Sequence, residues 1–118
     1  MNNRLWPIVL LSLMTLSACA GGGKPSVDIS KPQDGTVVDE GSQVQIEAGA
    51  VGGGQIERVE LFIDDTLIAT YDNPHLSVAL KASFTWQASG VGRHIIKVVA
   101  INDDGVASDP ASISIEVK

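Results

Sequence analysis

The 118-residue chain has one cysteine, two histidines and five aromatic residues, and its 8 lysines and arginines face 14 aspartates and glutamates. Each shortage closes a class of protein. A lone cysteine cannot pair within the chain, so a disulfide scaffold is excluded. A net charge of −6 offers no basic face to neutralise phosphates, which argues against nucleic acid as a partner. Zinc wants three or four His, Cys or carboxylate ligands at recognisable spacing, and His75 and His94 stand without such companions. From Pro25 onward no ten-residue stretch carries a helical apolar stripe free of glycine, proline or Asx breakers. Disorder is also excluded, because 44% of the residues are hydrophobic and the charge is modest. What is left is one small acidic domain with a core of its own.

The N-terminus carries an address. Met1–Arg4 is short, polar and basic, and the run LWPIVLLSLMTL from Leu5 to Leu16 is apolar. Twelve residues fall short of the roughly 20 that span a bilayer as a helix. A basic start, a short apolar stretch and then small residues make a secretory signal peptide, assigned to 1–18. Its end, Leu16-Ser17-Ala18-Cys19, resembles the lipobox of bacterial lipoproteins. That resemblance implies a diacylglyceryl group on Cys19, cleavage before it, and a membrane anchor. A thiolate is the nucleophile that takes up a lipid as a thioether, and two or more acyl chains anchor stably where one is marginal. Residues 19–24 then form the lipidated cysteine and a glycine-rich flexible tether. The resemblance places the protein in the outer membrane of a Gram-negative source, since Ala20 follows the cysteine. In any other bacterium it implies the outer leaflet of the cell membrane.

From Pro25 the hydrophobic period is two. Val44, Ile46, Ala48 and Ala50 alternate with polar or small residues, as do Val59, Leu61 and Ile63, then Phe84 and Trp86, then Ala111, Ile113, Ile115 and Val117. This is the half-buried strand pattern. Turn chemistry is expected at Pro32–Gly35, Glu40–Ser42, Gly52–Gly54, Asp64-Asp65, Asp72–Pro74, Ser89–Gly92 and Asn102–Gly105. Short strands with frequent turns across 25–118 predict an all-β, immunoglobulin-like antiparallel sandwich of about seven strands. The segments Pro25–Ile29, Pro32-x-Asp34-Gly35, Gly41-x-x-Val44-x-Ile46-x-Ala48, Ile56–Asp64, Phe84-x-Trp86, Gly92-x-His94 and Ala100-x-Asn102-x-x-Gly105, in this order, resemble a bacterial Ig-like domain of surface proteins and carbohydrate-active enzymes. Two departures stand out. Asp64-Asp65 occupies a hairpin turn where the family usually has Asp-Gly, and Asn102 stands where it often has aspartate.

The residues that could carry chemistry are few, so the chain reads as no enzyme and no cofactor is assigned. His94 shares the parity of Ile96, Val98 and Ala100, which points it inward at one end of the sandwich, hydrogen-bonded to a turn. Asp103 and Asp104, with the acidic turn at Asp64-Asp65, are the weak candidates for calcium, which takes six to eight oxygens from such loops. The plainer reading, that these residues build turns, is preferred. A two-residue turn at Asp64-Asp65 pairs Leu61 with Ile68 on the core side and leaves Phe62 beside Leu67, and Arg58 beside Tyr71, on the outer face. An outward aromatic and leucine next to a tyrosine and an arginine have the composition of a binding hot spot. Trp86 is what a glycan-binding module would use for stacking, but its parity with Phe84 favours the core. The expected protein is therefore a non-catalytic, lipid-anchored envelope module. Its partners are the membrane through Cys19 and an unidentified envelope protein, with glycan binding as the alternative.

Overall fold

The computed structural model describes residues 23–118, all of their regular structure being strand. The strands are β1 (Ser26–Lys31), β2 (Thr36–Val38), β3 (Gln43–Ile63), β4 (Thr66–Gln87), β5 (Gly92–Asn102) and β6 (Ala111–Val117). The sheet order is β1-β3-β5-β6-β2, with β4 also on β3. Strands β3 and β4 are too long for one layer and serve two. The first half of β3, through Val51, pairs with β1 on one side and with Ala79–Gln87 of β4 on the other. Its second half, from Ile56, pairs with β5 and with Thr66–Asp72. One hydrogen-bonded sheet thus folds over on itself into a sandwich, and β2 closes the far edge by running parallel to β6.

Two expected turns are bends within strands. Gly52, Gly53 and Gly54 all have positive φ (79°, 66° and 97°), a region open to glycine without a Cβ penalty, and the chain continues through them as β3. Asp72–Pro74 lies inside β4. There the Asn73 amide donates to the Ile56 carbonyl at 2.9 Å, supplying a side-chain partner where the backbone register is interrupted.

The alternation read from the sequence is the alternation of burial. Val44, Ile46, Ala48 and Ala50 are buried from the first half of β3, and Val59, Leu61 and Ile63 from the second. The register shift between Ile56 and Arg58 converts even parity into odd, so both halves face one core. Phe84, Trp86, Ile96, Val98, Ile115 and Val117 complete that core. Burying such side chains contributes about 1.5–3 kcal/mol each, against the entropy of ordering the chain.

Candidate functional site

The turn at Asp64-Asp65 keeps two residues, although neither is glycine. Both aspartates have positive φ, 51° and 68°, as a type I′ hairpin turn requires. Their carboxylates offset that conformational cost through β5. Asp64 Oδ1 accepts the Ile95 N–H at 2.9 Å and its own N–H donates to the Ile95 carbonyl at 2.9 Å. The Asp65 carboxylate meets Lys97 Nζ at 2.9 Å. The Ile95 N–H above all, and then the His94 side chain, hold the Asp64 carboxyl below the usual carboxylate range.

His94 completes the same end of the sandwich. Its Nδ1 lies 2.5 Å from Asp64 Oδ2 and its Nε2 lies 2.5 Å from the Gly90 carbonyl, while its ring stands edge-on to Trp86 at 5.6 Å. The Gly90 carbonyl first, and then the Asp64 carboxylate, raise the imidazole's affinity for its second proton. Both ring nitrogens are engaged, and the placement matches the inward position expected at a sandwich end.

The other end is built without titrating groups at its centre. Asn102 is buried; its Nδ2 donates to the Gly53 carbonyl at 2.5 Å, and its Oδ1 accepts the N–H groups of Asp104 and Val106 at 3.0 and 2.9 Å. An aspartate could accept those two but could not donate to Gly53. The departure from the family pattern is thus a structural amide, a role that the sequence reading, thinking of metal ligands, did not assign. Gly53 also lies against the incoming chain, where an added Cβ would be 2.5 Å from the Lys24 carbonyl carbon.

Calcium finds little support in this arrangement. Asp64-Asp65 lies beside Ile95 near the start of β5, whereas Asp103 and Asp104 follow its end, eight residues or about 26 Å further on at 3.3 Å per residue. Among the described residues no three His, Cys, Asp or Glu side chains come together in a way that could hold a metal ion. His75 is exposed, and its backbone N–H bonds Asn73 Oδ1.

The outer face at the hairpin differs from expectation in one respect. Phe62 does pair with Leu67, which is exposed, but Leu61 pairs with Ala69 because Ile68 is an extra residue in a bulge. The bulge reverses the parity of β4 beyond it. Tyr71 therefore stands opposite Val59 on the core side, where its ring meets Phe84 edge-on at 6.2 Å, and it leaves the proposed face. Arg58 stays on that face but is engaged, with Nη1 2.5 Å from Glu57 and Nε 3.2 Å from Glu60. The Glu60 carboxylate first, then Glu57, holds the guanidinium even more firmly charged than usual. Lys97 lies across from Phe62 on β5 and Val99 across from Glu60, so the face has an apolar centre with a charged border. Trp86 is 8% exposed and belongs to the core.

One surface escaped the sequence reading. On the outside of the β1-β3-β4 layer, Gly49 sits between Asp28 and Lys81 in register, and the missing side chain leaves a shallow groove of about 530 Å³. The signal was there: a lone glycine at an outward position of an alternating strand. Cys19, the expected lipidation site, and Leu16, Ser17 and Ala18 before it lie outside the described residues.

Similarity to known proteins agrees with this architecture. The fibronectin(III)-like modules of Clostridium thermocellum CbhA superimpose with a TM-score of 0.69 at 31% identity, over 80% of this chain and 47% of that one. This chain therefore spans just under half the length of that protein. A PKD domain of an M14-like peptidase from a Thermoplasmatales archaeon matches with a TM-score of 0.59 at 13% identity, covering 80% and 92% of the two chains. A CARDB domain from Pyrococcus furiosus, in complex with di-metal ions, matches with a TM-score of 0.56 at 17% identity, covering 81% and 94%. The last two show the fold alone. No curated protein sequence matches. Ig-like, fibronectin-III-like and PKD-like domains are typically non-catalytic, some of them modules of enzymes, and bacterial Ig domains are often extracellular or surface-associated. The sequence profile of the bacterial Ig domain matches residues 25–115, nearly the whole sandwich, and the chain belongs to that family.

Proposed function

We propose that this protein is a non-catalytic module of the bacterial envelope, anchored by lipid on Cys19, that presents its sandwich to a partner protein. The observation that carries the reading is the order of pieces along the chain. The sequence Leu16-Ser17-Ala18-Cys19 is followed at once by a glycine-rich tether, and the tether leads into the Gly53 end of a rigid Ig domain. Acyl chains would hold the domain, the glycines would let it swivel, and the opposite end and the sheet faces would point away from the bilayer. A mature chain starting at Cys19 loses only Arg4 among its charges, which leaves seven basic and fourteen acidic residues. At −7 it gains nothing from anionic headgroups, so the lipid alone must provide the attachment.

The contact surface best suited to a partner is the outer face around Phe62 and Leu67, with Arg58, Glu60 and Lys97 bordering it. Its apolar centre and charged rim are the usual anatomy of a protein interface. A glycan-binding role is less well supported, because Trp86, the stacking residue it would use, is buried. The intact mass of full-length protein extracted from membranes tests the anchor: a diacylated Cys19 start supports the reading and an unmodified start rejects it. Phe62→Ala/Leu67→Ser tests the face. Loss of co-purifying envelope proteins with folding intact is the expected result, and retention of every partner would discard the face.

A further inference from the structure

Three loops meet at His94, and one ring holds two of them together. The β3–β4 turn contributes the Asp64 carboxylate on Nδ1, and the β4–β5 loop contributes the Gly90 carbonyl on Nε2. The third, the β2–β3 loop, joins through Glu40, whose carboxylate accepts the Gly90 N–H at 3.0 Å. A neutral imidazole has one N–H and one lone pair, so it can donate to only one of two acceptors. Both of His94's neighbours are acceptors that carry no proton of their own. Only the doubly protonated ring satisfies them together.

We propose that His94, as an imidazolium, is a proton-operated clamp that fastens the Gly90 loop to the Asp64 turn, and that loss of its proton releases the Gly90 loop. The side that opens follows from the strength of the acceptors. A carboxylate is the stronger partner, so the remaining proton stays on Nδ1 toward Asp64. The Nε2 lone pair then faces the carbonyl oxygen of Gly90 at 2.5 Å, two acceptors in contact. Asp64 itself does not leave, since Ile95 holds it through the backbone in either state.

The surroundings favour the charged ring from several sides. Asp64 faces it from the hairpin turn and Glu116 acts on it from β6, while Glu40 lies behind Gly90. Arg93, the neighbour in sequence, pairs in register with Glu116, and Lys97 is occupied by Asp65. Trp86 offers its ring from β4. Residue 90 is built for the contact: its φ of 87° suits glycine, and a Cβ there would sit 3.3 Å from His94 Cε1.

The test is an NMR titration of the full chain in detergent micelles, following the ring nitrogens of His94 and hydrogen exchange at the Gly90 amide. The expected result is a His94 midpoint above the ordinary histidine value of about 6.5. Through the same transition, Gly90 exchange should accelerate about tenfold beyond its intrinsic pH dependence, the mark of a local opening. His94→Gln, which can donate to one acceptor at every pH, should abolish the transition at Gly90. A His94 midpoint at or below about 6.5 would overturn the clamp. So would a high midpoint with no accompanying change at Gly90, or an unaltered transition in His94→Gln.

Discussion

The two ends of this sandwich solve one problem with different chemistry. Each fastens connecting segments with a side chain as well as with backbone hydrogen bonds. The end that receives the tether uses a neutral amide, Asn102, whose three hydrogen bonds join the Gly52–Gly54 bend to the turn after β5. The far end uses ionisable groups, Asp64 and His94, with Glu40 on the Gly90 N–H. An amide holds its donors and acceptors at every pH, whereas a carboxylate and an imidazole hold theirs within a window. One end is therefore permanent and the other conditional, and in a lipid-anchored protein the conditional end would be the one facing outward.

The largest effect should come from putting a charge into the permanent end. Asn102→Asp keeps the Asp104 and Val106 N–H groups but places a buried carboxylate against the Gly53 carbonyl, which loses its donor, at a cost of about 3 kcal/mol. Its folded pKa would be raised, so the variant should recover stability as pH falls, which thermal melts at two pH values would read. Next in size is Gly53→Ala. A Cβ would have to displace the Lys24–Pro25 backbone and adopt positive φ, at roughly 2–3 kcal/mol. In a domain of this size each kcal/mol lowers the melting temperature by roughly 4–8 °C. Were Gly53→Ala to melt like the wild type, the close contact with the incoming chain would be wrong.

At the conditional end the effects are smaller and depend on pH. His94 has a raised folded pKa, so its contribution is fully present below the ordinary value of about 6.5 and is lost as pH rises through the folded value. Asp64 has a lowered one, so its contribution is present above about 3.8 and is lost as pH falls through the folded value. Denaturant titrations across pH should show stability falling on both sides of a plateau. Asp64→Asn should cost roughly 1 kcal/mol on that plateau and flatten both flanks. The smallest change, Asp65→Gly, should add about 0.5 kcal/mol: the strain of a non-glycine at φ 68° is relieved, and only an exposed pair with Lys97 is lost. A loss of stability in Asp65→Gly would mean that the Lys97 pair matters more than the backbone.

Legibility in the sequence differed along the same lines. Period-two alternation marked the core of β3, β5 and β6 residue by residue, because a half-buried strand writes its two faces into adjacent positions. The inward placement of His94 followed from parity alone. The hairpin face was read correctly only as far as Leu67, since a bulge adds a residue without any compositional mark and Ile68 looks like any other strand residue. The same limit hid the passage of β3 through three glycines, which in isolation spell a turn.

By itself the sequence determined the strand content, the position of the acidic hairpin turn and most of the core, though not Ile68 or Tyr71, because alternation depends on neighbours within a few residues. The tertiary structure alone decided which groups meet across the chain. Asn102 with Gly53 and His94 with both Asp64 and Gly90 are pairings between loops brought together by folding. Such contacts are set by strand register and layer packing, quantities that no local pattern of residues encodes.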